Sequence, residues 1–427
     1  MEKRKLLILG SDFGTLDMVK EAHRMGLYVI VSDTMESSPT KEEADEMWFV
    51  STTDIDLLEK KCREENVTAV AYGASDFNIG NVRLLCKRLG LPVYCSDDYA
   101  WKVSRDKSEF KKVCLEVGAP VAKGYKLTDA LSREELDQIA YPVIVKPVDL
   151  SGNRGMSYCY NEEQLIAGYR KARELSKNPV IVCERMLKGP ELYVNYAIAN
   201  GEAKLLYYTA EHNQPGQLHN MYSIINTTNV HMKTYLEEVD EKVKEVFKKI
   251  GCTEGIAWIE AILDQDGHFY LLEMGYRFGG EMIYVPWEKV SGFNSVRWMI
   301  ETALGVKHSV ADLPKDLEKP EKQVAATYYM FCKRDGIVGS IEGLDYVKSL
   351  ENVNIDFPKR VGNSIRKDAP MGIIEIYAKD CDELCATIAD INEKLIIKDG
   401  EGDNLIIVFD DYKTLQDEYA VGLKEFE

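Results

Sequence analysis

Short apolar runs alternate with amphipathic segments over residues 5 to 98. "KLLILG" leads into a helical pattern through Met18, Ala22 and Met25, and "LYVIVSD" into one around Ile55 to Cys62. "VTAVAYG", a helix at Val82 to Leu89 and "LPVYCS" complete the series. Apolar strands separated by helices predict a doubly wound α/β unit, a parallel sheet with crossover helices. In "SRDKSEFKKVCLEVGAP", Ser104 or Asp106 caps a helix whose apolar positions 110, 113, 114 and 117 share one face, and Gly118 ends it. The pattern then turns to antiparallel strands and two further helices. Asn161 to Ser176 opens on an Asn-x-x-Gln cap, and Tyr235 to Ile250 closes at Gly251. From about Val306 to Lys322 the chain is polar and carries two prolines, which predicts a linker. The last hundred or so residues return to strands ("VAATYYMF", "MGIIEIYA", "NLIIVFDD") with one helix near Asp382 to Lys394, an α+β pattern. There is no internal repeat and no low-complexity tract.

The sharpest chemical signal is "EGIAWIEAILDQDGHFYLLEMGYRFGG". Two strand-like runs flank Asp266-Gly267, a dipeptide favoured in two-residue hairpin turns. Counting outward from Gln265 opposite His268 places Glu260 directly across from Glu273, on a face shared with Trp258, Ile262, Phe269 and Leu271. Opposed residues lie roughly 4.5–5.5 Å apart at Cβ, and two like charges there are unfavourable unless one is protonated or a cation lies between them. Paired carboxylates suit Mg²⁺ or Mn²⁺ alongside nucleotide phosphates. An exposed hairpin end with two glutamates is the plain alternative. Arg277 follows Glu273 by four residues; alone it reads as a surface arginine, but near phosphates it would stabilise charge developing on a transferred phosphoryl group.

Lys146 ends the apolar run "YPVIVKP" and precedes a loop with glycines at 152 and 155 and an arginine, Arg154. The Walker A loop puts its lysine after the glycines, so that loop is excluded. A half-buried lysine needs an anion, either a nucleotide phosphate or a structural glutamate. The loop at 149–155 is placed to close over phosphates and exclude water. In "VIVCERMLKGPELYVNYAI", Glu184 ends one strand and Glu191 begins the next. The crossing between them offers backbone groups of Met186 and Leu187 to a base and a carboxylate to a ribose diol. On spacing alone it is an ordinary turn.

A formal net charge of −18 argues against binding a nucleic-acid backbone, whose affinity depends on clustered Lys and Arg. The ten cysteines lie in apolar segments without a CxxC pair, and only Cys381 and Cys385 are close. Reduced thiols in a cytoplasmic protein are the expectation. The apolar run of the N-terminal "MEKRKLLILG" is too short for a signal peptide and no run approaches the length of a membrane span, so no membrane partner is expected. "GSDFG" lacks the GxGxxG spacing, which leaves a nicotinamide-dependent oxidoreductase, using Asp33 after the second strand, as a weak reading.

In order and spacing, Lys107, Lys146 with its glycine loop, "ERMLKGPE", Glu260, Glu273 and Arg277 resemble the ATP-grasp superfamily over essentially the whole chain. The resemblance implies an N-terminal Rossmann-like domain over 1–103, a two-lobed ATP-grasp domain over 104–305, a linker at 306–322 and a C-terminal α+β domain over 323–427. By it, Lys107 and Lys146 would hold phosphates, and the loop with Gly152, Arg154, Gly155 and the following Met156 would be a lid. Glu184 and the Met186–Leu187 backbone would read adenine, Glu191 the ribose, and Glu260 and Glu273 would bind magnesium. Arg277 would stabilise the reacting phosphate. The superfamily commonly shows Glu-x-Asn-x-Arg where this chain has Glu273-Met274-Gly275-Tyr276-Arg277, and Gly275 offers no ligand.

The implied activity is ADP-forming ligation of a small carboxylate to an amine, with ATP and Mg²⁺ (or Mn²⁺) as cofactors. The tail "RDGIVGSIEGLDYV" and "DAPMGIIEIYAKDCDELCATI" resembles the L-amino-acid ligase group. Biotin carboxylase, the purine-pathway carboxylases and a degenerate ATP-binding module are the alternatives. A carbamoyl-phosphate synthase large chain would need a duplicated core. His219, in the polar segment Tyr207 to Thr228, is a candidate substrate residue, or a plain exposed loop histidine. The resemblance also makes a homodimer an expectation.

Overall fold

A computed structural model describes residues 3–11, 14–36, 38–74, 76–95, 97–148, 150, 154–214, 222–314 and 320–426. The N-terminal unit is a four-stranded parallel sheet ordered Glu46–Trp48, Tyr28–Ser32, Lys5–Leu9, Val67–Ala71. The helices Thr15–Arg24, Ile55–Glu64 and Asp76–Leu89 connect its strands and continue beyond the last of them. Two expectations fail here. The segment "LPVYCS" is not a strand: Pro92 has no N–H to give a ladder, and Cys95 sits at φ 54°. Its Tyr94 instead stacks on Tyr72 with ring centroids 5.1 Å apart. The fourth strand is the short edge Glu46–Trp48, whose three residues carry too little periodicity to be read from sequence.

The helix Lys107–Val117 takes Asp106 as its cap, accepting from the N–H groups of Ser108 and Glu109, and ends at Gly118 with φ 71°. A four-stranded antiparallel sheet follows, ordered Gly124–Tyr125, Ile181–Arg185, Val143–Pro147, Ser157–Cys159, and Glu162–Leu175 packs on it. The segment Tyr235 to Ile250 is two helices, Met232–Glu238 and Asp240–Ile250. They part at Val239 (φ −126°), where the buried Asp240 carboxylate accepts from Tyr196.

An eight-stranded sheet, with all its pairings antiparallel, organises the rest. Its order is Phe269–Gly275, Gly255–Leu263, Glu191–Ala199, Glu202–His212, Ile224–Thr227, Val324–Phe331, Pro370–Ala378, Val353–Asp356. The sheet therefore runs unbroken from the glutamate hairpin into the C-terminal strands. "NLIIVFDD" joins no ladder. The Leu405 N–H donates to Ile397 and the Ile407 N–H to Phe331, so the segment bridges two strands instead of extending one. Its Leu405 and Phe409 side chains are buried under the helix Cys381–Lys394.

Candidate active site

The pairing of Gly255–Leu263 with Phe269–Gly275 sets Glu260 directly opposite Glu273. The turn is wider than a two-residue Asp-Gly turn. Leu263 pairs with Phe269, the Asp264 N–H donates to the His268 carbonyl, and a bulge between Glu260 and Ala261 restores the register. Below the bulge Leu271 pairs with Ala261 and Phe269 with Leu263, so both lie on the core face with Ile259 and Met274, away from the glutamates. The opposite face carries Glu260, Trp258 and Ile262. Register with the next strand adds Tyr193 and Glu191, and the strand beyond adds Thr209 and, two residues on, Glu211. Three glutamates thus converge on one patch with Glu273. Burial, then the facing Glu273 and Glu191 carboxylates, push the Glu260 carboxyl well above the usual range.

Two cations come from the capped helix. Lys107 and Lys111 stand one turn apart and so share a face. Lys107 pairs with Glu273, and Lys111 reaches Glu184 at 2.5 Å. Burial would lower the Lys107 ammonium, but the Glu273 carboxylate holds it above its ordinary value. Lys146 donates to the other Glu184 oxygen at 2.8 Å, so the anion facing this lysine is a protein glutamate. Lys111 escaped the sequence reading; its i+4 spacing from Lys107 was the available signal. Although burial alone would raise it, Lys146 and Lys111 hold the Glu184 carboxyl below the usual range.

That contribution to stability is present above the ordinary glutamate value of 4.5 and is lost as pH falls through the lower folded-state value. Glu184→Ala would leave two ammonium groups facing each other. The expected loss is about 2 kcal/mol or more, less than for a fully buried pair because both lysines reach solvent. Thermal melts at pH 7 check this, and an unchanged transition would remove the structural role.

The crossing from Glu184 to Glu191 is fastened to the hairpin turn. Arg185 reaches Asp264 at 2.5 Å and Asp266 at 3.0 Å, and the Lys188 N–H donates to Asp264 at 2.7 Å. A Cβ on Gly189 would stand 1.7 Å from the Leu263 carbonyl oxygen, so only glycine allows this approach. The Met186 N–H is already donated to the Pro142 carbonyl (3.0 Å), and its side chain is buried. Leu187 follows beside it.

Arg277 is not a surface residue: it is 9% exposed, its Nη1 donates to the Phe278 carbonyl at 2.6 Å, and it lies 5.2 Å over the Trp258 ring. Trp258 also explains Gly275. The two residues are direct cross-strand partners, and a Cβ at 275 would sit 2.3 Å from the indole. An asparagine has no room there. Of the lid, Arg154 is exposed, Gly155 is buried at φ 82° and Met156 is half-buried, while Gly152 lies outside the described residues, as does His219. Asp33, the carboxylate of the nicotinamide reading, is paired with the buried Lys41 at 2.9 Å.

A cavity of about 370 Å³ adjoins Glu273 and Arg277, walled by Tyr193, Glu211, Tyr222, Trp258, Glu281 and Tyr329. Sequence reading missed Glu211 and Glu281, which only sheet register and the turn after Arg277 bring to the site.

Residues 106–310 match the family described as carbamoyl-phosphate synthase L chain, ATP binding domain. A carbamoyl phosphate synthase large chain from Clostridium botulinum (strain Loch Maree / Type A3) is 24% identical over 324 residues, covering 72% of this chain. This chain spans only 30% of that relative's length. Biotin carboxylase from Campylobacter jejuni has a similar fold, with TM-score 0.77, 19% identity and coverage of 100% of this chain and 99% of that one. L-amino acid ligase from Bacillus licheniformis gives 0.73 and 19%, covering 93% and 99%. The match to that ATP-binding family thus covers residues 106–310, and along its length the chain shares the fold of these two structures.

Proposed function

We propose that the chain is an ATP-dependent ligase that activates a carboxylate as an acyl phosphate and joins it to an amine. The observation that carries this is the facing pair Glu260 and Glu273, with Lys107 attached to it and the Lys146–Lys111–Glu184 cluster nearby. Two opposed carboxylates, one of them half-buried and pushed above the usual range by burial and its acidic neighbours, fit a divalent cation. Glu260 and Glu273 would hold Mg²⁺ or Mn²⁺, which would neutralise phosphate charge.

Lys107 and Lys146 would exchange their carboxylate partners for phosphate oxygens. The Leu187 N–H and the Glu184 carboxylate would meet adenine, Glu191 the ribose, and Arg154, Gly155 and Met156 would close over the phosphates. A substrate carboxylate oxygen bonds to the γ-phosphorus as the bond to ADP breaks, with Arg277 beside the transferred group. The amine nitrogen then bonds to the acyl carbon, inorganic phosphate leaves, and the amine gives up a proton. Gly275 follows from Trp258 packing, so it does not by itself argue for a degenerate module. We read 1–103, 104–305 and 323–427 as the domains that build this site.

Phosphate and ADP release across a panel of carboxylates and amines, with mass spectrometry of products, tests the reading. ADP formation that depends on both an acid and a divalent cation is expected. Background release across the panel despite ATP binding would sink the ligase assignment, and AMP with pyrophosphate would reject the acyl phosphate route.

A further inference from the structure

The 370 Å³ cavity beside Glu273 and Arg277 has the size of a small-molecule site and two carboxylates that the reaction above does not use. Glu281 is 6% exposed, lines the cavity, and its Oε1 has no hydrogen-bond partner among the described residues. Its carboxylate folds over Gly279, where a Cβ would stand 1.6 Å from Oε2. Glu211 lies across the cavity on the strand Glu202–His212, and its Oε2 is likewise buried and unpartnered among the described residues. The walls between them are the aromatic rings of Tyr193, Tyr222 and Trp258. Buried carboxylates without partners are costly, and aromatic faces attract cations. The one cation lining the same space among the described residues is Arg277, whose charge also favours the ionised form of Glu281.

We infer that Glu211 and Glu281 form an ammonium subsite, so that the acid to be activated is an amino acid whose carboxylate lies toward Arg277. This rests on the ligase reading above and sharpens it. A zwitterion answers both charges of the cavity, whereas bicarbonate or a simple monocarboxylate competes with Glu281 for Arg277 and brings no cation to Glu211. Burial, with Glu191 and Glu281 nearby, pushes the Glu211 carboxyl up to about 8 even though Tyr222 hydrogen-bonds to it; burial likewise raises Glu281.

The test pairs each proteinogenic L-amino acid and β-alanine with its deaminated acid, adds bicarbonate, and follows ADP formation with MgATP. Amino acids should support turnover and their deaminated partners should not. Glu211→Gln and Glu281→Gln should raise KM for the amino acid on the order of 10–100-fold while changing kcat far less. Equal use of deaminated acids, a preference for bicarbonate, or variants with unchanged KM would overturn the subsite. If a variant does not fold, the wild-type preference decides. If no acid yields ADP, the ligase reading fails separately. Calorimetric titration of L-phenylalanine against 3-phenylpropionate then reads the subsite, and binding of both or of neither overturns it.

Discussion

Glu273→Gln is expected to abolish ADP formation, lowering turnover by roughly 10³-fold or more, while the melting temperature stays within a few degrees of wild type. The two readouts separate because the residue does different things in each. For chemistry it is half of a carboxylate pair, and an amide in its place carries no charge to hold a divalent cation. For folding its charge is a burden, since it faces the half-buried Glu260 directly. Its ion pair among the described residues is with Lys107, whose side chain is 56% exposed, and such a pair contributes little. Phosphate release and circular dichroism melts on the same preparation check both halves. Full activity in the variant would end the metal assignment. A collapse of the fold would mean that the Lys107 link matters far more than its exposure suggests.

Gly275→Asn should cost about 3 kcal/mol of stability, because its Cβ would stand 2.3–2.5 Å from three indole atoms of Trp258. Trp258 cannot swing aside cheaply: it is 6% exposed, with Tyr193 at 5.6 Å and Arg277 at 5.2 Å. Trp258→Ala alone opens a void under Arg277 and should cost a comparable amount. Combined, the larger residue at 275 occupies part of the space that the indole leaves. Urea melts of the four proteins should then give a favourable coupling on the order of 1–3 kcal/mol. Strictly additive losses would show that the indole and the glycine do not share that space.

The facing of Glu260 and Glu273 was legible because strand parity and an Asp-Gly dipeptide fix which residues share a face. The turn itself was not, because its width depends on Asp264 accepting from Lys188 and donating to His268, groups distant or unmarked in sequence. That the hairpin reached the predicted pair despite a shifted turn is owed to a bulge, which the apolar pattern hides. Lys146 was found as a cation needing an anion, but Glu184 as that anion came only from the pairing of Val143–Pro147 with Ile181–Arg185. Residues 306–322 read as a linker from composition. Nothing local indicated that Ile224–Thr227 on one side and Val324–Phe331 on the other would hydrogen-bond across the intervening chain. Glu211 sits near the end of a largely apolar strand, where a carboxylate looks like an edge residue. Its meaning depends on the other strands that line the cavity.

The continuity of the large sheet bears on how such chains diverge. The carboxylate pair, Arg277, Glu211 and Glu281 all fall inside residues 106–310, the stretch that matches the ATP-binding family. The far wall of the cavity does not: Tyr329 and Phe331 come from the strand Val324–Phe331, two places beyond Glu202–His212 in the same sheet. On the proposed function, the phosphate contacts and the two cavity glutamates would lie in one part of the gene and this aromatic wall in another. If the proposed ligase reading holds, two proteins alike over the shared stretch would differ in the acid they accept by changing two aromatic side chains that lie outside it.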